Sequence, residues 1–267
     1  MNRMLALLGK ELADLRRNRA LFLPAIIAGV FSMLLPFAVA VVVPALAGER
    51  LSDSNDFAIA LEMYRDEPRL RRLEPEAAVQ AWIFQQFLVL LVLTPVTGAM
   101  SIAAYSIVGE KQGRTLEPLL ATPLTTLELL GAKVLGALVP ALGLTVATFG
   151  LYLAGVAAFA ESGAFRALLT PASLGVTFLI GPLAALAALQ LAVCVSSRVN
   201  DPRSAQQIGA LVVLPVTAVF VLQIAGMFQL GGPAIVWLAV ALAGVNIGLI
   251  LVGIALFDRE SILTRWK

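Results

Sequence analysis

Apolar positions fall in long unbroken blocks along this chain. Residues 20–48, 77–109, 134–160, 167–197 and 204–257 carry no Asp, Glu, Lys or Arg. Each of the first four blocks exceeds the ~20 residues that a helix needs to cross the hydrocarbon core of a bilayer. The fifth has 54 residues, far too many for one crossing, and Gly231-Gly232-Pro233 supplies a breaker near its middle. Six spans are therefore expected, and an even number puts both termini on one side. Residues 2–19, ahead of the first block, alternate basic and apolar. At 100° per residue Met4, Leu5, Leu8, Leu12 and Leu15 share one arc and Arg3, Lys10 and Arg17 lie opposite, the pattern of an amphipathic helix lying in a membrane interface. The competing reading is a signal peptide cleaved after Ala45-Leu46-Ala47. The 29-residue block 20–48 is about twice the usual h-region of ~7 to 15 residues, which argues against it.

Between the second and third blocks lies a charged, capped stretch, EKQGRTLEPLLATPLTTLELLGAK, residues 110–133. Gly113 permits a sharp turn after Glu110 and Lys111. Thr115 is a suitable N-cap for a short helix whose Leu116, Leu119 and Leu120 fall at i, i+3 and i+4 on one face. Pro118 is tolerated because first-turn amides have no intrahelical partner. Thr122-Pro123 breaks the chain again, and Thr125 with Glu128 has the spacing of a capping box, so a new helix is expected to start there and run into the third block.

This stretch resembles the loop between the second and third membrane helices of ABC exporter permeases of the type-2 class, in which Glu, Gly, Leu-Glu, Leu-Leu and Thr/Ser-Pro recur at this spacing. The likeness is close over residues 109–133; elsewhere it extends to layout only. It implies that Glu110, Gly113, Arg114, Thr115, Leu116, Glu117, Leu119, Leu120, Thr122 and Pro123 form a coupling helix docking on a separate ABC ATPase subunit. It further implies that ATP and Mg are bound by that partner, and that a second permease chain, identical or related, completes the pathway. The resemblance says nothing of the substrate. The competing reading is that these leucines pack back on the chain's own spans while Arg114 and Glu117 face water.

Charge distribution sets the orientation. Segments 1–19, 110–133, 198–203 and 258–267 together hold thirteen Lys and Arg, against six in segments 49–76 and 161–166. By the positive-inside rule the termini are cytoplasmic. The external loop 49–76 carries eight acids and five arginines, with Ser54 positioned to cap a short helix containing Phe57, Leu61 and Tyr64. In the short second cytoplasmic loop, Asp201 before Pro202 reads as N-cap and first residue of the fifth span. Arg198 and Arg203 either anchor to lipid headgroups or touch the ATPase.

Composition agrees: 60% of residues are hydrophobic, 13% are charged, and mean hydropathy is +0.91, values that fit an integral membrane protein. There is one cysteine, Cys194, and no histidine, so no intrachain disulfide, multi-cysteine metal site or His general base is available, and no metal is expected. A Gly-x-x-x-x-Gly-Lys-(Ser/Thr) loop is lacking, so no cofactor is expected in this chain itself. No ionisable residue lies in the middle of a span, which argues against a proton-coupled carrier, and no nucleophile–base pair or carboxylate pair supports an intramembrane enzyme. Uncharged polar residues do occur there: Thr94, Thr97, Ser101, Gln190, Gln206, Gln207, Gln223 and Asn246. They read either as a substrate path or as interhelical hydrogen bonding. Prolines 24, 36, 44, 95, 140, 182 and 215 fall inside the spans as candidate kinks. Trp82, Trp237 and Trp266 read as interface anchors and Cys194 as packing.

The expected architecture is thus one all-α transmembrane permease domain over residues 1–267. It comprises six transmembrane helices, an N-terminal amphipathic interfacial helix over 1–19 and a cytoplasmic coupling helix between spans two and three. Its expected place is the plasma membrane, in contact with lipid and with no nucleic acid partner. Its role is read as moving a substrate out of the cytoplasm or inner leaflet with separate ATPase subunits; the uncharged walls are compatible with sodium, an amphipathic drug or peptide, or a lipid. A non-transporting scaffold and an ATP-independent carrier are the alternatives.

Overall fold

The computed structural model describes residues 2–54, 57, 70–112, 126–196, 207 and 210–256. Among these residues all regular structure is helical and no strand occurs. Helix α1 (Asn2–Arg17) is followed by a 3-10 turn (Arg19–Phe22), α2 (Leu23–Phe37), a π turn (Ala38–Val42) and α3 (Val43–Ala47). Next come α4 (Pro75–Leu91) and α5 (Leu93–Gln112), the long α6 (Thr126–Phe159), and short α7 (Ala164–Leu168). Helix α8 (Pro171–Gly175), a π turn (Val176–Ile180) and α9 (Gly181–Ser196) form a further continuous rod, after which come α10 (Val213–Ile224) and α11 (Gly232–Leu256).

Among the described residues five stretches are long and apolar enough to cross a bilayer: Arg19–Ala47, Pro75–Ser106, Gly131–Phe159, Pro171–Val195 and Gly232–Ile254. The fifth uncharged block divides as its breaker requires. α10 ends before Gly226, whose φ of 70° is left-handed, and α11 starts at Gly232 with Pro233 in its first turn. With its 12 residues, α10 is about 18 Å long, short of the ~30 Å hydrocarbon core. Residues 204–206 and 208–209, which the sequence assigns to the same span, lie outside the described residues, as do Asp201 and Pro202 and, in the external loop, residues 55–56 and 58–69.

The prolines explain where the rods change helical type. Pro36 and Pro44 bracket the π turn at Ala38–Val42, Pro182 follows the π turn at Val176–Ile180, Pro95 follows the break at Val92, and Pro215 follows the 3-10 turn Ala210–Val212. Each proline lacks an N–H and crowds the carbonyl four residues back, so the preceding turn tightens or widens to accommodate it. Pro140, by contrast, sits within an uninterrupted α6.

The rod Pro75–Ser106 is the axis of the bundle. Nine-tenths of its apolar window (89%) is buried within the chain, against 22% for Arg19–Ala47 and 11% for Gly232–Ile254. Helices α2, α6 and α9 pack on α5, and α2 and α10 on α4. The outer rods instead turn Leu23, Ile27, Phe31 and Leu34 of α2, and Trp237, Val240, Ile247 and Leu251 of α11, outward. Such faces cost little in lipid. Toward the end of the bundle that carries α3 and α7, an aromatic cluster ties three rods. The Phe37 ring lies 5.0 Å from Phe84 and 5.8 Å from Tyr152, centroid to centroid. Tyr152 donates to the Phe84 carbonyl at 2.7 Å. Gly155 makes room for the Phe37 ring, since a Cβ there would stand 2.7 Å from Phe37 Cζ.

One reading from sequence is corrected. Trp82 is buried (8% exposed) rather than interfacial, because the rod that carries it is enclosed on all sides; Trp237 is 74% exposed, and Trp266 lies outside the described residues. In α1, Leu5 is exposed and the buried stripe is Leu7, Glu11 and Leu15. These fall at i, i+4 and i+8 because α6 covers the side of α1 centred on Glu11, and Leu5 lies about 120° round the helix from it.

Candidate functional site

Of the coupling residues inferred from sequence, Glu110 lies on α5. Gly113, Arg114, Thr115, Leu116, Glu117, Leu119, Leu120, Thr122 and Pro123 lie outside the described residues. On either side of this segment α5 ends at Gln112 and α6 begins at Thr126, where the Thr125–Glu128 spacing puts it.

The two flanking helices are joined by a buried ionic network. Lys133 Nζ, two turns into α6, donates to Glu11 Oε1 at 3.2 Å and to Ser106 Oγ at 2.8 Å; Ser106 Oγ donates in turn to Glu11 Oε2 at 2.8 Å. Three elements, α1, α5 and α6, thus meet at one ammonium, one hydroxyl and one carboxylate. Glu11 and Lys133 are 7% and 5% exposed. Bringing two such charges out of water is costly, and the attraction offsets that cost only where the remaining hydrogen-bonding capacity is also met. Ser106 helps to meet it by accepting from Lys133 and donating to Glu11. The close approach of α1 and α6 depends on Gly136, where an added Cβ would lie 3.0 Å from Glu11 Cβ and 3.8 Å from Leu8 Cδ1. Reading from sequence placed Lys133 in the surface segment and Glu11 on an interfacial helix. The signal it missed is the spacing Leu7, Glu11, Leu15, which puts the carboxylate on one face between two leucines and beside the apolar arc.

The polar span residues divide into separate groups. Thr97 Oγ1 donates to Leu93 O (2.7 Å) and Ser101 Oγ to Thr97 O (2.7 Å), both back-bonding within α5. Thr94 is fully buried, and its Oγ1 is 3.3 Å from where a Cβ on Gly29 would stand, with Thr148 Oγ1 at 3.2 Å from the same point. Gln190 Nε2 donates to Asn246 Oδ1 at 2.7 Å, joining α9 to α11; Asn246 Nδ2 donates to Leu183 O (3.0 Å) and Leu242 O (2.8 Å). Gln223 Nε2 donates to Gln86 Oε1 at 2.8 Å, joining α10 to α4. Gln207 is exposed and Gln206 lies outside the described residues. Three further polar links were not singled out from sequence. Ser32 Oγ stands 2.8 Å from Leu90 O; Gln80 joins Ala40 O (3.3 Å) to the Glu161 amide (2.8 Å); Glu76 accepts from the Leu51 and Ser52 amides at 3.2 and 3.0 Å. A lone Ser or Gln in an uncharged run was the only cue to the first two.

A protein-family model described as ABC-2 family transporter protein matches residues 5–236. The chain belongs to the ABC-2 family. The match runs from α1 through the segment between α5 and α6 and into the start of α11, so it includes all three members of the ionic network. No curated protein matches the chain. The permease is accordingly a multi-pass membrane component of an ABC transporter, a class that works with an ABC ATPase and is generally not itself catalytic.

Proposed function

We propose that the permease is the membrane subunit of an ATP-driven exporter, moving its substrate out of the cytoplasm or the inner leaflet. Two permease chains and two separate ATPase subunits would make the working unit, in the cell membrane with both termini cytoplasmic. The whole chain, 1–267, acts as one transmembrane domain. The observation that carries this reading is the segment 110–133, whose Gly, Leu-Glu, Leu-Leu and Thr-Pro spacing resembles the coupling helix of type-2 permeases. The ionic network supports it, because Glu11, Ser106 and Lys133 bind α1 to both helices that flank this segment. A push on the segment would therefore reach three elements together. Closure of the ATPases on ATP would displace it and shift the bundle from inward-facing to outward-facing. ATP and Mg are bound by the ATPase, and no bond chemistry occurs in this chain.

The test is to compare Glu117→Lys and Arg114→Glu with wild type for membrane insertion, ATPase co-purification and ATP-dependent flux in proteoliposomes. Docking of Leu116, Leu119 and Leu120 with Glu117 charge-paired to the partner predicts normal insertion with lost coupling. Truncating a buried, charge-paired contact costs ~2 to 5 kcal/mol of binding, whereas a solvated surface pair is worth ~0 to 1. Normal coupling in both variants removes these charges from the mechanism. Flux by the purified chain without an ATPase would favour a carrier, and a stable ATPase complex without flux a scaffold.

A further inference from the structure

Where the chain passes from α1 into α2 through the 3-10 turn Arg19–Phe22, it leaves an open groove of about 500 Å³ against α6, lined by Leu12, Leu15, Arg19, Phe22 and Pro140. That volume falls within the ~300 to 1,000 Å³ of ligand sites. Four of the five lining residues are apolar: Leu15 is buried, Leu12, Phe22 and Pro140 are half-buried, and the one charged residue, Arg19, is exposed. No carboxylate of α1 answers that charge. Residues 1–19 hold two acids, Glu11 and Asp14; Glu11 is held by Lys133 at 3.2 Å, and Asp14 lies 3.9 Å from Lys10. Among the described residues Arg19 makes no ion pair. Depth decides what can meet it. Arg19 opens the span Arg19–Ala47, whose 29 residues are about 43 Å long. A hydrocarbon core is ~30 Å thick and the whole bilayer ~40 to 45 Å with its headgroups. Arg19 therefore stands at the level of the headgroups, and Phe22, three residues further along the rod, nearer the hydrocarbon. Arg16 and Arg17 add two cations close by in sequence, which favours a headgroup of net negative charge over a zwitterionic one. A guanidinium at phosphate depth beside an apolar groove matches an anionic headgroup that carries an acyl chain.

We propose that this groove is a binding site for one anionic phospholipid, such as phosphatidylglycerol, with its phosphate on the Arg19 guanidinium and an acyl chain against Leu12, Leu15, Phe22 and Pro140. The bound lipid touches α1 and α6, the two helices that the Glu11–Lys133 pair also joins. The site goes beyond the transport reading and requires neither an ATPase nor a direction of transport. Its place in the cytoplasmic leaflet rests on the orientation proposed above; binding itself does not, since a nanodisc exposes both faces of the membrane.

The test uses the full chain in phosphatidylcholine nanodiscs that contain, at equal low mole fraction, either phosphatidylglycerol or phosphatidylcholine with a diazirine on the same acyl chain. Peptide mapping is the readout. Relative to the outward face of α11, the peptides carrying Phe22 and Pro140 should be labelled about fivefold more by the phosphatidylglycerol probe, the ratio that ~1 kcal/mol per cation near an anionic lipid corresponds to. Arg19→Gln should bring that ratio to about one. Equal labelling by the two probes in the wild-type chain would overturn the proposal without recourse to any variant. So would a fivefold preference that survives in a folded Arg19→Gln protein, or phosphatidylglycerol labelling spread evenly along the outward faces of α2 and α11. Absence of labelling on both peptides would overturn it too, and in a chain that runs as a dimer would give the groove to a second copy.

Discussion

Removing either charge of the Glu11–Lys133 pair should damage the fold far more than removing both. The side chains of Lys133 and Glu11 are 4% and 9% exposed and 3.2 Å apart. Glu11→Leu leaves an ammonium enclosed by α1, α5 and α6 with Ser106 still beside it, and Lys133→Met leaves a carboxylate in the same place. Stranding one charge of a buried pair costs about 3 to 5 kcal/mol, whereas replacing the pair by apolar side chains of similar volume is often neutral or stabilising by about 1 to 4. The double variant Glu11→Leu/Lys133→Met should therefore be more stable than either single, with a coupling energy of at least ~3 kcal/mol across the cycle. Additive effects are the expectation only for distant, independent sites. Ser106→Ala should cost about 1.5 to 3 kcal/mol, as for a hydrogen bond to a charged group, and that cost should vanish in the double-variant background. Reversible unfolding in mixed micelles, followed by tryptophan fluorescence, gives the four free energies. Single-variant losses below about 1 kcal/mol that simply add would mean that the pair is solvated like a surface ion pair, and the network described here would not exist.

Three other outcomes follow from the packing and the charge pattern. Gly155→Ala should destabilise the bundle by about 1 to 3 kcal/mol, because its Cβ would stand 2.7 Å from the Phe37 ring; adding Phe37→Leu should recover most of that loss in the same unfolding assay, and no recovery would locate the strain elsewhere. Tyr152→Phe removes the 2.7 Å hydrogen bond to the Phe84 carbonyl and should lower stability by about 1 kcal/mol without changing helix content by circular dichroism. In a Cys194→Ala background, a cysteine at Ser54 should react with an impermeant thiol reagent added to intact cells and one at Gln112 should not; equal labelling would contradict the orientation set by the thirteen-to-six division of basic residues.

What the sequence makes legible here is whatever a one-dimensional period or a local breaker encodes. The uncharged runs mark the rods; the Thr125–Glu128 spacing marks the start of α6; Gly231-Gly232-Pro233 marks the start of α11. Prolines mark where π and 3-10 turns interrupt the rods, though Pro140 does not interrupt α6. Which rod is central is not encoded this way, because an apolar helix facing lipid and one facing other helices have the same composition. Trp82 was misread for that reason. The pairings Gln190–Asn246 and Gln86–Gln223 span 56 and 137 residues of chain, and nothing local selects the partner. The Glu11–Lys133 network was half visible: Glu11 shares the i, i+4, i+8 face of Leu7 and Leu15, but its partner is 122 residues away, at the edge of a stretch whose other charges suggested a surface.

A buried ion pair that apolar side chains could replace at no loss of stability calls for another reason to be there, and the geometry of α1 suggests register. The buried stripe of α1 is Leu7, Glu11, Leu15, so sliding the helix by one turn, ~5.4 Å, would set a leucine opposite Lys133 in either direction. Of the three residues on that face, only Glu11 offers Lys133 a carboxylate from α1, so only one register forms this pair. Register is also the best-attested use of buried polar groups in helical assemblies. The double variant Glu11→Leu/Lys133→Met should then be stable yet less singular, with α1 sampling more than one position along α6. Spin labels at the exposed positions Leu5 and Val139 (56% and 53% exposed), in a Cys194→Ala background, measure that position directly. The wild-type pair should give one narrow distance distribution, and the double variant a broadened or split one, with components separated by about one helical turn. Identical narrow distributions in both proteins would show that shape alone, through Gly136 and its contacts with Glu11 and Leu8, sets the register.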